Sequence, residues 1–104
     1  MKKKNIVKEA KDFDRAFKLR NQKASKFAYL YTCDTENEYR FGICVSKKVG
    51  NAVTRNKLKR RVKDIIDKSG LHFYNKDYII VLKKSAKDAE YLLLKEDLEK
   101  LLKF

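Results

Sequence analysis

The segment "DYIIVLKK", residues 77–84, is apolar on both side-chain parities, so as a strand it needs cover on both of its faces. A chain of 104 residues is one domain with one modest core, and it can meet that demand by laying helices against a small sheet. Helical patterns are available on both sides of the segment. From Ile6, apolar residues recur at Ala10, Phe13 and Phe17, one helical face, which predicts a first helix over residues 9–20. Gly50 supplies a turn and Asn51 an N-cap for a second helix from Ala52 to Lys68, with Leu58, Val62, Ile65 and Ile66 as its apolar stripe and Gly70 as its end. The stretch "DAEYLLLKEDLEKLLK" makes a last amphipathic helix with Leu94, Leu98, Leu101 and Leu102 inward.

Between the first two helices, "KFAYLYTCD" and "EYRFGICVS" are rich in aromatic and β-branched residues and are separated by the polar "TEN". They predict an antiparallel hairpin. The order is then α-β-β-α-β-α, with a further short strand near Lys47, and the class is α+β: a small mixed sheet packed with three helices. Proline is absent and no repeat or linker interrupts the chain, so residues 1–104 form a single expected unit.

Register decides which residues the hairpin shows to solvent. If Asp34 pairs with Tyr39, then Phe27, Tyr29, Tyr31 and Cys33 share a face with Arg40, Gly42, Cys44 and Ser46. The opposite face carries Ala28, Leu30, Thr32, Tyr39, Phe41, Ile43 and Val45 and suits a core. The first face suits a platform, on which aromatic rings stack unpaired bases while Gly42 lets a strand come close. Aromatic residues on a strand are also ordinary core, and a one-residue slip exchanges the faces.

The stretch "SKKVGNAVTRNKLKRRVK", residues 46–63, contains no acid and carries Lys47, Lys48, Arg55, Lys57, Lys59, Arg60, Arg61 and Lys63. Thus +8 of the formal net charge of +13 sits in one block. A concentrated patch of one sign makes a field suited to a polyanion, and nucleic acid is the leading partner class. On the second helix Asn56, Arg60 and Lys63 lie opposite the apolar stripe, so the basic face is exposed by construction. The plainer alternative is a solvated face in a lysine-rich chain. Against it, three of the six arginines fall in this block, where a planar multi-donor group matters for phosphate or base-edge contact.

The acids are scattered and form no evident catalytic or metal-binding constellation: Asp12 and Asp14 point to different helix faces, and Asp64 and Asp67 sit amid lysines. His72 is the lone histidine, in a loop after Gly70. Cys33 and Cys44 have no histidine at a metal-like spacing, and two reduced structural thiols are expected. No apolar run is long enough to span a bilayer, and "MKKKNIVKEAKDF" lacks the apolar stretch of a secretory signal, which predicts a cytoplasmic protein with no membrane partner.

The run Ser46-Lys47-Lys48-Val49-Gly50-Asn51-Ala52-Val53, followed by Arg55-Asn56 and Lys59-Arg60, resembles the signature of the protein subunit of bacterial ribonuclease P. The similarity extends to "DFDRAFK", "LYT", "RFGICVSKK" and "KDYIIVLKKSA". It implies a non-catalytic protein that helps a catalytic RNA, which holds the Mg²⁺, remove the 5′ leader of precursor tRNA, with no obligate protein partner. It also implies a left-handed β-α-β crossover through the second helix, against the usual hand. Carried over by position, contact with the RNA subunit falls on Arg55, Asn56, Lys57, Lys59, Arg60 and Lys63. The leader cleft falls on Phe13, Phe17 and Tyr31, with Lys47, Lys48 and Asn56 nearby. Lys57 replaces the family's usual arginine and loses a bidentate fork, and Ser85 stands where a proline is customary. Two rivals remain at this point: a general RNA-chaperone or ribosomal protein, and a protein-only metal-dependent nuclease.

Overall fold

The computed structural model of the chain describes residues 2–19 and 21–103. A 3-10 turn at Lys3–Asn5 precedes α1 (Ala10–Lys18), β1 (Gln22–Ala24), β2 (Ala28–Asp34) and β3 (Arg40–Cys44). Then come α2 (Ala52–Lys68), β4 (Lys76–Leu82), a second 3-10 turn at Lys84–Ala86, and α3 (Tyr91–Leu102). The α+β class and the three helices are those the sequence predicts. Asn51 caps α2 by accepting a hydrogen bond from the Thr54 amide at 2.9 Å, and Gly70 leaves the helix at a φ of 69°. On α3 the carboxylate of Asp97 accepts from Ser25 Oγ at 2.6 Å and the Phe27 amide at 3.0 Å, tying the helix to the corner before β2.

Strand pairing differs from the expected hairpin. The sheet order is β1-β2-β4-β3, with β2 antiparallel to β1 and β4, and β3 parallel to β4. The most apolar strand takes an inner position, where Tyr78, Ile79 and Ile80 are fully buried, whereas a β2–β3 hairpin would have pushed it outward. The additional strand is also elsewhere: the segment at Lys47 is a turn, and the fourth strand is β1, before β2. The outer edge of β3 is partly closed by the N-terminal segment, whose Val7 amide donates to the Phe41 carbonyl at 2.9 Å.

Within β2 and β3 the predicted faces nevertheless survive, because β4 enters between them without changing which of their residues lie level. Phe27, expected on the face of Tyr29 and Tyr31, lies before β2 where strand alternation does not hold and is buried in the main core instead. Cys33, Asp77 and Arg40 form one row across β2, β4 and β3. Tyr31, Ile79 and Gly42 form the next, and Tyr29, Val81 and Cys44 the third. These are the row partners the hairpin would have had, one strand further apart. The opposite parity, with Leu30, Phe41, Tyr78, Ile80 and Leu82, joins Leu58, Val62, Ile65, Leu94, Leu98 and Leu101 in the main core.

Candidate nucleic-acid interface

Helix α1 packs on the first of these faces, against β2 and β4, where the family resemblance puts the leader cleft. Its Phe13 and Phe17 are four residues apart and so point the same way. A Cβ placed on Gly42 would come within 2.5 Å of the Phe13 ring, so the missing side chain lets that ring descend onto β3. The room at Gly42 therefore serves Phe13 and is not open to a ligand, which corrects the expected use of this glycine. Phe17 meets Tyr31 edge-on, with ring centroids 4.9 Å apart. Phe13, Phe17 and Tyr31 are all half-buried around Val7, Ala16, Cys33 and Ile79. They are neither closed core nor free platform.

The end of α1 nearer the first row is held by charge. Asp77, with its side chain fully buried, accepts from Arg40 through Nε at 2.8 Å and Nη2 at 2.7 Å, and from Arg15 Nη2 at 3.2 Å. Arg40 also reaches Asp12 on the helix, at 3.4 Å. The hydrogen bonds Arg40 donates to Asp77 raise its pKa beyond its already high ordinary value, burial opposing them. A bidentate pair of this kind suits a carboxylate removed from water. The sequence pattern puts Arg40 on this face but does not reveal Asp77; its signal is an acid inside a strand that needs cover on both faces.

Covering weakens from row to row. Asp77 and Ile79 are fully buried on β4, while Val81 is half-buried; on β2, Cys33 is buried, Tyr31 half-buried and Tyr29 37% exposed. Beside this open row, burial pushes the Cys44 thiol pKa up while the positive charge of Lys59 on α2 pulls it back. Across the row, Lys83 places its Nζ 4.4 Å from the Tyr29 ring centroid and donates to the Ser25 carbonyl at 2.7 Å.

The basic block divides in space. Lys47 and Lys48 are exposed in the turn between β3 and α2, where the Val49 amide donates to the Ser46 carbonyl at 3.0 Å. Asn56, Lys57 and Arg60 are exposed on α2, and Lys59, Arg61 and Lys63 half-buried. Arg55 is half-buried, with an enclosed Nε that has no hydrogen-bond partner, so its outer nitrogens are what a ligand can reach. A second, mainly basic surface goes unseen in the sequence pattern: Lys3, Lys4, Lys8 and Lys11 border a depression of about 460 Å³ beside the start of α1, together with Glu9, Asp12 and the paired Arg15 and Arg40. The signal for the four lysines is the lysine run of the first eleven residues.

His72 is exposed, its ring edge-on to Tyr74 at 5.3 Å, and Asp64 is committed to Tyr91 and Lys68. Among the described residues no three His, Cys, Asp or Glu side chains are placed to hold a metal ion, and no helix is long and apolar enough to cross a membrane.

The model of the family described as Ribonuclease P matches residues 1–104. A ribonuclease P protein component of Streptococcus equi subsp. equi is 36% identical, the match covering 99% of this chain and 87% of that protein. One from Staphylococcus aureus is 37% identical, with coverage of 99% and 91%. Among solved structures, a Staphylococcus aureus RNase P protein mutant with defective mRNA degradation activity superposes at a TM-score of 0.89 with 36% identity, over 96% of this chain and 86% of that one. The Thermotoga maritima RNase P protein in complex with 1-(4-fluorophenyl)-2-thiourea gives 0.84 with 26% identity, over 92% and 95%.

Proposed function

Because the chain belongs to the ribonuclease P protein family, and so is a subunit of that tRNA-processing ribonucleoprotein, we propose that it binds the 5′ leader of precursor tRNA in the α1 cleft and docks on the catalytic RNA through α2. The observation that carries the reading is the asymmetry of the sheet. One face is sealed, and the other exposes Phe17 and Tyr31 in part, with Lys83 against the exposed Tyr29 ring. Aromatic rings flanked by cations bind a single strand by stacking and by phosphate attraction, with little regard to sequence. Asn56, Lys57, Arg60 and Lys63, with the outer nitrogens of Arg55 and the Lys59 ammonium, meet RNA phosphates of the catalytic subunit, while Lys47 and Lys48 follow the leader. In this reading Mg²⁺ belongs to the RNA subunit, the protein works in the cytoplasm, and residues 1–104 act as one unit.

A second reading is RNA cleavage by the protein alone. Its support is the description of the Staphylococcus aureus mutant as defective in mRNA degradation activity, a statement about that protein. One reconstitution separates the two. The protein is mixed with a ribonuclease P RNA at low Mg²⁺, and cleavage and affinity are measured for precursor and mature tRNA, beside an arm without the RNA subunit. The expected outcome is cleavage only when the RNA is present, and a Phe17→Ala variant that loses affinity for precursor while keeping it for mature tRNA. Arg60→Ala with Lys63→Ala should lower the salt slope of docking by roughly 0.7 to 0.9 for each phosphate that is no longer neutralised. Robust cleavage by the protein alone, abolished by one carboxylate substitution, would overturn the proposal.

A further inference from the structure

The third row of the cleft face is unexplained by the residues assigned so far. It holds Ala24 on β1, Tyr29 on β2, Val81 on β4 and Cys44 on β3, level with one another across the whole sheet. The named aromatic contacts from α1 fall on the second row: Phe13 over Gly42 and Ile79, and Phe17 against Tyr31. Tyr29, at 37% exposed, shows more of itself than most aromatic side chains here, and its ring is gripped by Lys83.

We propose that Tyr29, held by Lys83 above the Val81–Cys44 floor, is a second base-stacking position, taking the leader nucleotide next to the one at Phe17 and Tyr31. The inference rests on the leader-binding reading and extends it by one site. Three features support it. First, spacing: two residues along β2 advance about 7 Å, twice the roughly 3.4 Å between stacked bases in a duplex strand, so neighbouring tyrosines suit a strand whose bases are splayed apart. Second, geometry: Lys83 lies over the Tyr29 ring and holds it, while the side chain stays 37% exposed. Third, charge: Lys83 uses one of its donors on the Ser25 carbonyl and keeps others for a phosphate. An extended polyanion with aromatic bases fits a half-apolar floor with an ammonium beside its exposed ring. Floor and walls continue directly from the cleft already described.

The test is a leader-length series with the holoenzyme, reconstituted from this protein and a ribonuclease P RNA. Precursor tRNA affinity is measured as the leader is lengthened one nucleotide at a time. The wild type should gain affinity in steps. Tyr29→Ala should lose one step, worth at least about fivefold, at a single leader length, and should keep its affinity for mature tRNA. Tyr29→Phe should retain that step, because stacking needs the ring and not the hydroxyl. Tyr31→Ala should lose the adjacent step instead. If Tyr29→Ala climbs through every step as the wild type does while Tyr31→Ala loses one, the third row is a bare sheet edge and only this inference falls. If Tyr29→Ala weakens precursor and mature tRNA alike, the ring is structural and the inference again falls. A wild type indifferent to leader length would remove the leader-binding reading itself, and this site with it.

Discussion

The two faces of the sheet are made by the same strands and obey different rules. On the face against α2 and α3, Phe41 stacks on Tyr78 with centroids 5.0 Å apart, and Leu30, Ile80, Leu94 and Leu98 are fully buried. On the α1 face the contacts are a buried carboxylate between two guanidiniums, a ring lowered onto a glycine, and aromatics left half in water. Alternation along a strand lets one face store stability while the other stays available to a ligand. The difference shows where each kind of interaction is useful. Apolar burial is non-directional, whereas the α1 face sets the position of a single helix through a few directional contacts.

The sharpest way to break this contrast is to cut each face in turn. Leu98→Ala should cost about 2 to 5 kcal/mol of stability in denaturant unfolding, as expected for a fully buried leucine, and should lower RNA-subunit docking and leader binding together by raising the unfolded fraction. Were Leu98→Ala to cost no more than truncation of half-buried Phe17, the two faces would not differ in the way described.

The next effect in size belongs to the cleft. Gly42→Ala would bring a Cβ within 2.5 Å of Phe13 and 2.9 Å of Ile79 Cδ1, so something must move. Overpacking of this kind costs about 1 to 3 kcal/mol, and here the yielding part is the ring that anchors α1 to β3. Precursor tRNA affinity should fall by more than the stability loss accounts for, and docking on the RNA subunit should survive. Equal loss of both activities, with melting temperature as the guide, would show that Gly42 supports the whole fold and not one helix.

How far the sequence carries this contrast depends on which forces are local. Helix α2 is legible to the residue because its cap, its stripe at Leu58, Val62, Ile65 and Ile66, and its glycine exit all act within a few turns. The two faces are legible because alternation is a property of one strand. Strand partners are not. The five residues between Asp34 and Arg40 suit a hairpin as well as a spread pair, and the choice is made by β4, more than thirty residues further on, claiming an inner position. The same distance hides Arg40 from Asp77. Strand β1 leaves no sign, since Gln22, Lys23 and Ala24 are all exposed and carry no apolar alternation. The cleft rings emerge through family resemblance together with helical spacing. The pairing of Tyr29 with Lys83 emerges only from the folded chain, because a cation over a ring across two strands has no pattern in sequence.

The smallest expected effect tests whether a polar tie matters on the sealed side. Tyr91 on α3 donates its hydroxyl to Asp64 of α2 at 2.6 Å, and Lys68 approaches the same carboxylate at 3.2 Å. The tyrosine hydrogen bond, then that from Lys68, holds the Asp64 pKa below its usual carboxylate value. A lowered pKa in the folded state means stability that is fully present above the unfolded value and is lost as pH falls through the folded one. In Tyr91→Phe the Asp64 carboxyl should titrate closer to its ordinary value, seen by NMR, with Lys68 still holding it partly down. The stability gap between wild type and variant should be small at neutral pH, since Asp64 is 43% exposed, and should shrink further in acid as the carboxylate takes its proton. A gap that rivalled Leu98→Ala, or one that did not narrow in acid, would mean that α2 and α3 are joined by this contact as much as by their leucines, and the division between a face held by burial and a face held by specific contacts would fail.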